Sequence, residues 1–214
     1  MEIKWLGQSC FQIKNKEAAL IIDPYSEKIG LKMPKVKPDV VLITHHHPDH
    51  DDLSRIEDHA LIFDTPGEFE AKGFFIKGIS TFHDKEQGAK RGKNTMFTIK
   101  TEGMTILHCG DLGHLLEPTM LEDLDDIDVL LIPVGGTYTI DGKEAAKITQ
   151  EIEPRIVVPM HYKIPGLNLD LDGSATFIKE MGLTPEKQAK ISISSRTQLP
   201  EEETRLVQLE PNGG

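Results

Sequence analysis

The stretch THHHPDHDDL, residues 44–53, places four of the chain's nine histidines within six positions and follows them with aspartates. It continues DVVLIT (39–44), a near-continuous apolar run that predicts a strand buried on both faces. His45 and His47 lie two apart, so an extended backbone points them to one side and His46 to the other. Pro48 then turns the chain, and Asp49 and His50 are expected at the start of a short helix over DDLSRI, whose first turn Asp51 and Asp52 favour. Strand end, turn and helix start thus aim His45, His47, Asp49 and His50 at one small volume. Imidazole and carboxylate are the donors that zinc, iron and manganese accept. A solvated polar loop is the plainer alternative, but crowding ionisable groups without a partner is costly.

The rest of the chain bounds the possibilities. Its 214 residues suffice for one sizeable core, and 38% hydrophobic with 28% charged residues is a globular balance. Acidic residues outnumber basic ones 35 to 24, for a net charge of -11, which argues against long nucleic acid or an anionic membrane as partner. Two cysteines, Cys10 and Cys109, make no disulfide framework, so a reducing compartment is expected. MEIKWLGQSCFQIKN at the start lacks the long apolar core of a leader, and no apolar run approaches the ~20 residues of a membrane span. The expectation is a cytoplasmic protein forming one domain over 1–214, frayed at 211–214. A homo-oligomer is compatible with the sequence.

Short alternating or apolar runs predict strands at EIKWL, CFQIK, AALII, ALIFD, GFFIKGIS, TMFTIK, MTILH, IDVLLIPV and RIVVPM, and again at KISISSR and TRLVQLE near the end. Helices are expected over 117–124, with Pro118 in the first turn, over 141–153, between Asp141 and Pro154, and over 174–182, from Ser174 to Gly182. Helices covering strand layers are the simplest arrangement.

The run H-x-H-x-D-H at the end of an apolar strand resembles the signature of the metallo-β-lactamase superfamily. That resemblance implies an α+β fold, a four-layer αββα sandwich with the metal site at one edge between the two sheets. It also implies further ligands downstream: His83 in STFHD, Asp111 in HCGD and His161 in VVPMHY. On this pattern His45, His47 and His83 would form one site, Asp49, His50 and His161 a second, and Asp111 would bridge them. PVGGTYTI, a helix and then PMHY are similar to a subgroup of small bacterial metal-dependent hydrolases, with ascorbate-phosphate lactonases as more distant relatives. The implied cofactor is two divalent ions, zinc first, with manganese or iron as alternatives. The implied chemistry is attack of a shared hydroxide, oriented by Asp49, on a small ester, lactone, amide or phosphoester. A phosphodiesterase and an iron-dependent, dioxygenase-like oxidoreductase on the same scaffold are the competing readings.

Other residues divide between two roles. His108, three before Asp111, competes with His83 for the first site or supports it from behind. His46 and His59 read as surface residues, and His114 as a surface or pocket-lining one. Asp23 in IIDP braces the histidine loop, by the resemblance, or merely caps a turn before Pro24. Tyr138 and Tyr162 either reach the groove or pack. Cys109 reads as a buried thiol, and Gly135 and Gly136 as a tight turn. DKEQGAKRGKN (84–94) resists the acidic average: beside metals its Lys85, Lys90, Arg91 and Lys93 would hold an anionic group of a small-molecule substrate, and otherwise it is a solvated hairpin loop.

Overall fold

The computed structural model describes residues 1–57 and 59–211. Residues 212–214, most of the stretch expected to fray, lie outside the described residues. In chain order the strands are β1 (Glu2–Gly7), β2 (Cys10–Lys14), β3 (Ala19–Ile22), β4 (Val40–Leu42), β5 (Leu61–Phe63), β6 (Gly67–Ala71) and β7 (Phe74–Phe82). They continue with β8 (Lys93–Thr101), β9 (Met104–His108), β10 (Val129–Pro133), β11 (Ile156–Met160), β12 (Glu186–Gln188), β13 (Ile191–Ser192) and β14 (Arg205–Leu209). Among the described residues three α-helices are interleaved: α1 (Pro118–Glu122), α2 (Gly142–Ile152) and α3 (Ala175–Met181).

Two mixed sheets result. A six-stranded sheet runs β13-β1-β2-β3-β4-β5, and an eight-stranded sheet runs β12-β14-β11-β10-β9-β8-β7-β6. Burial follows the sequence pattern. In β1 Ile3 and Trp5 are buried while Glu2 and Lys4 are half-buried, whereas the apolar runs of β4, β10 and β11 are buried throughout. β10 and β11 pair parallel, as do β3, β4 and β5, and two-sided burial is what such strands require. Residues from both sheets, among them Trp5, Phe11, Phe74 and Phe97, join one continuous core. Each large side chain there contributes about 1.5–3 kcal/mol by leaving water. This is the α+β sandwich expected, with few helices. α2 packs on β10 and on α3.

α2 begins where expected. The Asp141 carboxylate accepts from Lys143 N and Glu144 N, both at 2.9 Å, and Glu144 returns a bond to the Asp141 amide at 3.2 Å. Elsewhere local expectation gives way. The helix predicted over 51–56 is one 3₁₀ turn, Leu53–Arg55, with Asp52 accepting from Ser54 N. The turn at 48–50 and the bridge of Ile56 to Val36 leave no room for more. Ser174 precedes α3 without capping it, and its hydroxyl instead accepts from Gln208 at 3.1 Å. β6 and β12 were not expected from sequence. Both are edge strands with charged, exposed side chains, a composition that blunts an edge and hides the strand.

This topology gathers the chemistry-bearing residues. β4 lies in one sheet and β7, β9 and β11 in the other, and His45, His83, Asp111 and His161 each follow one of these strands within three residues. The carboxyl ends of the strands therefore converge on one edge, where the loops carry the polar residues.

Candidate metal centre

Asp23 organises the histidine loop. It is fully buried, just past β3, with a φ of 51°. That left-handed conformation is strained for an aspartate and aims its carboxylate back at the loop. Oδ1 accepts from the Thr44 amide at 2.8 Å, and Oδ2 accepts from the Thr44 hydroxyl and from His50 Nδ1, each at 2.8 Å. The Thr44 hydroxyl, having spent its proton on Asp23, accepts from His45 Nδ1 at 3.0 Å. Asp23 is thus a brace rather than only a turn residue. His45 and His50 are held as the tautomer that turns Nε2 forward, an arrangement common behind metal-binding histidines.

The forward atoms converge. His45, His47 and His83 offer donor atoms within 4.8 Å of one another, as do Asp49, His50, Asp111 and His161. All seven expected positions are therefore brought together. Asp111 sits centrally: its Oδ1 lies 3.2 Å from His50 Nε2, and its Oδ2 lies 3.1 Å from Nε2 of both His83 and His161 and 3.9 Å from that of His45. His45 Nε2 and His50 Nε2 are buried without a hydrogen-bond partner, as are Nδ1 of His83 and His161. Imidazole nitrogens, two of them buried and unpartnered at the forward Nε2, together with the carboxylates of Asp49 and Asp111 form a donor set that divalent cations fit.

The electrostatics agree. Burial, with the neighbouring His50, pushes His45 far below the usual imidazole range, and burial lowers His47 likewise, so both keep a free lone pair. Burial would lower His50 too, but Asp111, Asp23 and Asp49 outweigh it and raise it well above. Burial would raise Asp111 and Asp49. The imidazoles of His161 and His50 override it at Asp111, and His50 overrides it at Asp49, holding both carboxyls below their ordinary range.

Supporting residues that the sequence did not single out complete the site. Gln8, fully buried in the turn between β1 and β2, donates to Asp49 Oδ2 at 3.0 Å, and its carbonyl accepts from the His161 amide at 3.2 Å. Asn94 accepts from the Asp111 amide and donates to the Cys109 carbonyl, both at 2.9 Å. Gly110 between them is obligatory, because a Cβ there would lie 2.3 Å from Asn94 Oδ1. A polar residue amid the apolar strand ends was the one available signal for either side chain.

The remaining candidates settle individually. His108 is not among the converging donors: one nitrogen bonds the Ser9 carbonyl at 2.8 Å and the other accepts from the Gly110 amide at 3.1 Å. His46 is exposed and faces Asp51 and Asp64. His59 is exposed, and His114 is half-buried against Leu115 and Phe82. Tyr162 packs on Trp5, while Tyr138 lines the cavity of about 290 Å³ in front of the metal-type donors. Lys90 and Arg91 line that cavity too. Cys109 is a buried free thiol whose pKa burial pushes up, which leaves it unreactive.

Comparison with known proteins agrees with this geometry. The family described as "Beta-lactamase superfamily domain" matches residues 2–161, so the chain belongs to that family. A protein of Pyrobaculum calidifontis named UPF0173 metal-dependent hydrolase is 33% identical over 191 residues, covering 76% of this chain and 84% of its own. One of the same name from Pyrobaculum neutrophilum is 32% identical over 189 residues, with the same coverage. A crystal structure from Thermotoga maritima, of a proposed Zn-dependent hydrolase of the metallo-β-lactamase superfamily, superposes with a TM-score of 0.80. It is 32% identical and covers 98% of this chain and 99% of that one.

Proposed function

We propose that this chain is a hydrolase that holds two divalent ions, zinc in the first instance, and cleaves a small ester, lactone, amide or phosphoester. The observation that carries the proposal is the pair of converging donor groups with buried, unpartnered nitrogens. His45, His47 and His83 would hold one ion and Asp49, His50 and His161 the other, with Asp111 shared. Such ions, when bound, supply Lewis acidity: they polarise the bond to be broken and let water ionise near pH 7.

The protein's own residues do the rest. Asp49 is half-buried at the cavity wall, where its carboxylate can accept a proton from the attacking water and orient it. Gln8 fixes Asp49 by donating to Oδ2, and so decides which oxygen is left for that task. Asp23 keeps His45 and His50 in one tautomer, so ligand geometry needs no adjustment during turnover. Pro48, Tyr138 and Leu169 narrow the cavity and limit bulk water around the reacting group. We place this activity in a single domain spanning 1–214. Its two free, buried cysteines suit the cytoplasm, and no helix among the described residues is long and apolar enough to cross a membrane.

Elemental analysis of untagged protein prepared without chelator, followed by a screen of lactones, esters and phosphoesters, tests the proposal. Two zinc or manganese per chain and hydrolysis of one class are expected. One iron per chain, with oxygen uptake in place of hydrolysis, would replace the hydrolase by an oxidoreductase.

A further inference from the structure

The cavity in front of the donors has a basic wall whose construction goes beyond the seven ligand-type residues. Between β7 and β8 the chain makes a tight loop around Asp84, a residue 5% exposed. Its Oδ1 accepts from the amides of Glu86 at 2.7 Å and Gly88 at 2.9 Å, and its Oδ2 accepts from those of Lys90 at 2.9 Å and Arg91 at 2.8 Å. The His83 amide donates to the Gly92 carbonyl at 3.1 Å, which closes the loop on a residue of the donor set. Gly113 lies against it, where a Cβ would meet Asp84 N at 2.2 Å, so the loop is seated without clearance. This is a preorganised segment, not a loose hairpin.

Its cations differ in what they face. Lys85 pairs with Glu144 and Lys90 with Glu86. Arg91, among the described residues, has no carboxylate within ion-pair distance. Its guanidinium donates to the Thr137 carbonyl at 3.1 Å and lies over the Tyr138 ring at 5.4 Å from the centroid. The carbonyl and the ring hold the group in place and leave most of its donors free. Arg91 and Tyr138 both line the cavity shared by His47, Asp49, His83 and Asp111. An uncompensated, anchored guanidinium at the wall of a polar cavity, in a chain of net charge -11, is a fork for a planar or tetrahedral oxyanion.

Accepting the hydrolase reading, we propose that the substrate carries an oxyanion, a carboxylate or a phosphate, close to the bond that is cleaved, and that Arg91 receives it. The acidic surface then disfavours polyanions, while this one wall admits a small anion.

Calorimetric titration of the metal-loaded protein with inorganic phosphate and with glutarate tests the binding directly. Arg91→Gln is expected to weaken one or both by about 10- to 100-fold, the range for hydrogen bonds to a charged group. The anion with the larger loss identifies the source. Arg91→Lys keeps the charge without the fork and provides a second variant should the first not fold. A hydrolytic arm compares p-nitrophenyl hemisuccinate with p-nitrophenyl acetate: the preference for the charged ester in the wild type, about tenfold, falls to about one in Arg91→Gln. If neither these esters nor any lactone or phosphoester of the wider screen is cleaved while the anions still distinguish the two proteins, the hydrolase reading fails and the anion site stands. Equal affinities in wild type and Arg91→Gln for both anions would overturn the proposal.

Discussion

Two loops face the same cavity, and a buried aspartate builds each in a different way. Asp23 spends its carboxylate on the Thr44 amide, the Thr44 hydroxyl and the His50 ring, and so fixes side chains. Asp84 spends its own on four backbone amides, those of Lys90 and Arg91 among them, fixing the path of the chain while the side chains of these two residues stay outside that network. In the first loop the orientation of each imidazole is specified, as proposed metal ligation requires. In the second Asp84 specifies the backbone alone, and Arg91 is held separately, by the Thr137 carbonyl and the Tyr138 ring, so its side chain can change without disturbing the scaffold. Fixed chemistry and adjustable recognition thus line one cavity.

The contrast breaks most severely at Asp49. Asp49→Ala removes a proposed ligand and proton acceptor together, and turnover is expected to fall about 10³-fold. The fold should survive, because Asp49 is half-buried in a turn rather than in the core. Metal content near one equivalent, with unchanged circular dichroism, completes the expectation. Wild-type turnover in this variant would sink the mechanism.

Asp23→Ala attacks the same loop from behind. It strands the Thr44 amide and frees both imidazole rings to rotate. Loss of about 10- to 100-fold in metal affinity or activity is expected, the range for removing a partner behind a ligand. Buried groups left unpaired also cost about 1–3 kcal/mol each in stability. Competition with a chromogenic chelator and a thermal melt read the two effects separately. An unchanged metal affinity would make Asp23 a structural residue only.

These two residues also mark what the sequence could and could not disclose. Asp49 was legible because its partners in the cluster are neighbours in the chain: strand period, proline and spacing act within six residues. The strand ends that carry His83, Asp111 and His161 were legible as apolar runs, but the assignment of these residues to one site came from resemblance to a family. Asp23 stayed ambiguous because its partners lie 21 and 27 positions away, and an aspartate before proline has an ordinary local explanation. Gln8 and Asn94 escaped notice for the same reason: a neutral amide acquires its role only when folding brings a partner such as Asp49, 41 positions distant, against it. His108 is the converse case. Its nearness to Asp111 in the chain suggested a ligand, yet a strand-end residue can face either way, and both its nitrogens are satisfied elsewhere.

Asp84→Ala tests the second loop. Losing the acceptor frees the amides of Glu86, Gly88, Lys90 and Arg91, and their hydrogen exchange is expected to quicken roughly tenfold, with amides in β10 and β11 unaffected. Metal content should not change. If metal were lost along with the loop, the two walls would be one cooperative unit, and the separation between fixed chemistry and adjustable recognition would fall.

The smallest effect is expected at His46, and its smallness is informative. It lies between two members of the donor set, so a loop whose histidines acted as an undifferentiated cluster would suffer from its loss. The strand has ended at Leu42, and a tight turn in which the His47 amide donates to the His45 carbonyl at 3.2 Å instead directs the His46 ring toward Asp51 at 3.3 Å and Asp64 at 3.5 Å, with 63% of its side chain exposed. Exposed pairs of this kind contribute little, because water screens them and the side chains give up entropy to meet. His46→Ala should therefore leave metal stoichiometry at the wild-type value and turnover within about twofold. A lost metal equivalent in this variant would show that the turn at 45–47 does not sort the loop, and the assignment of His45 and His47 to one proposed ion would have to be redrawn.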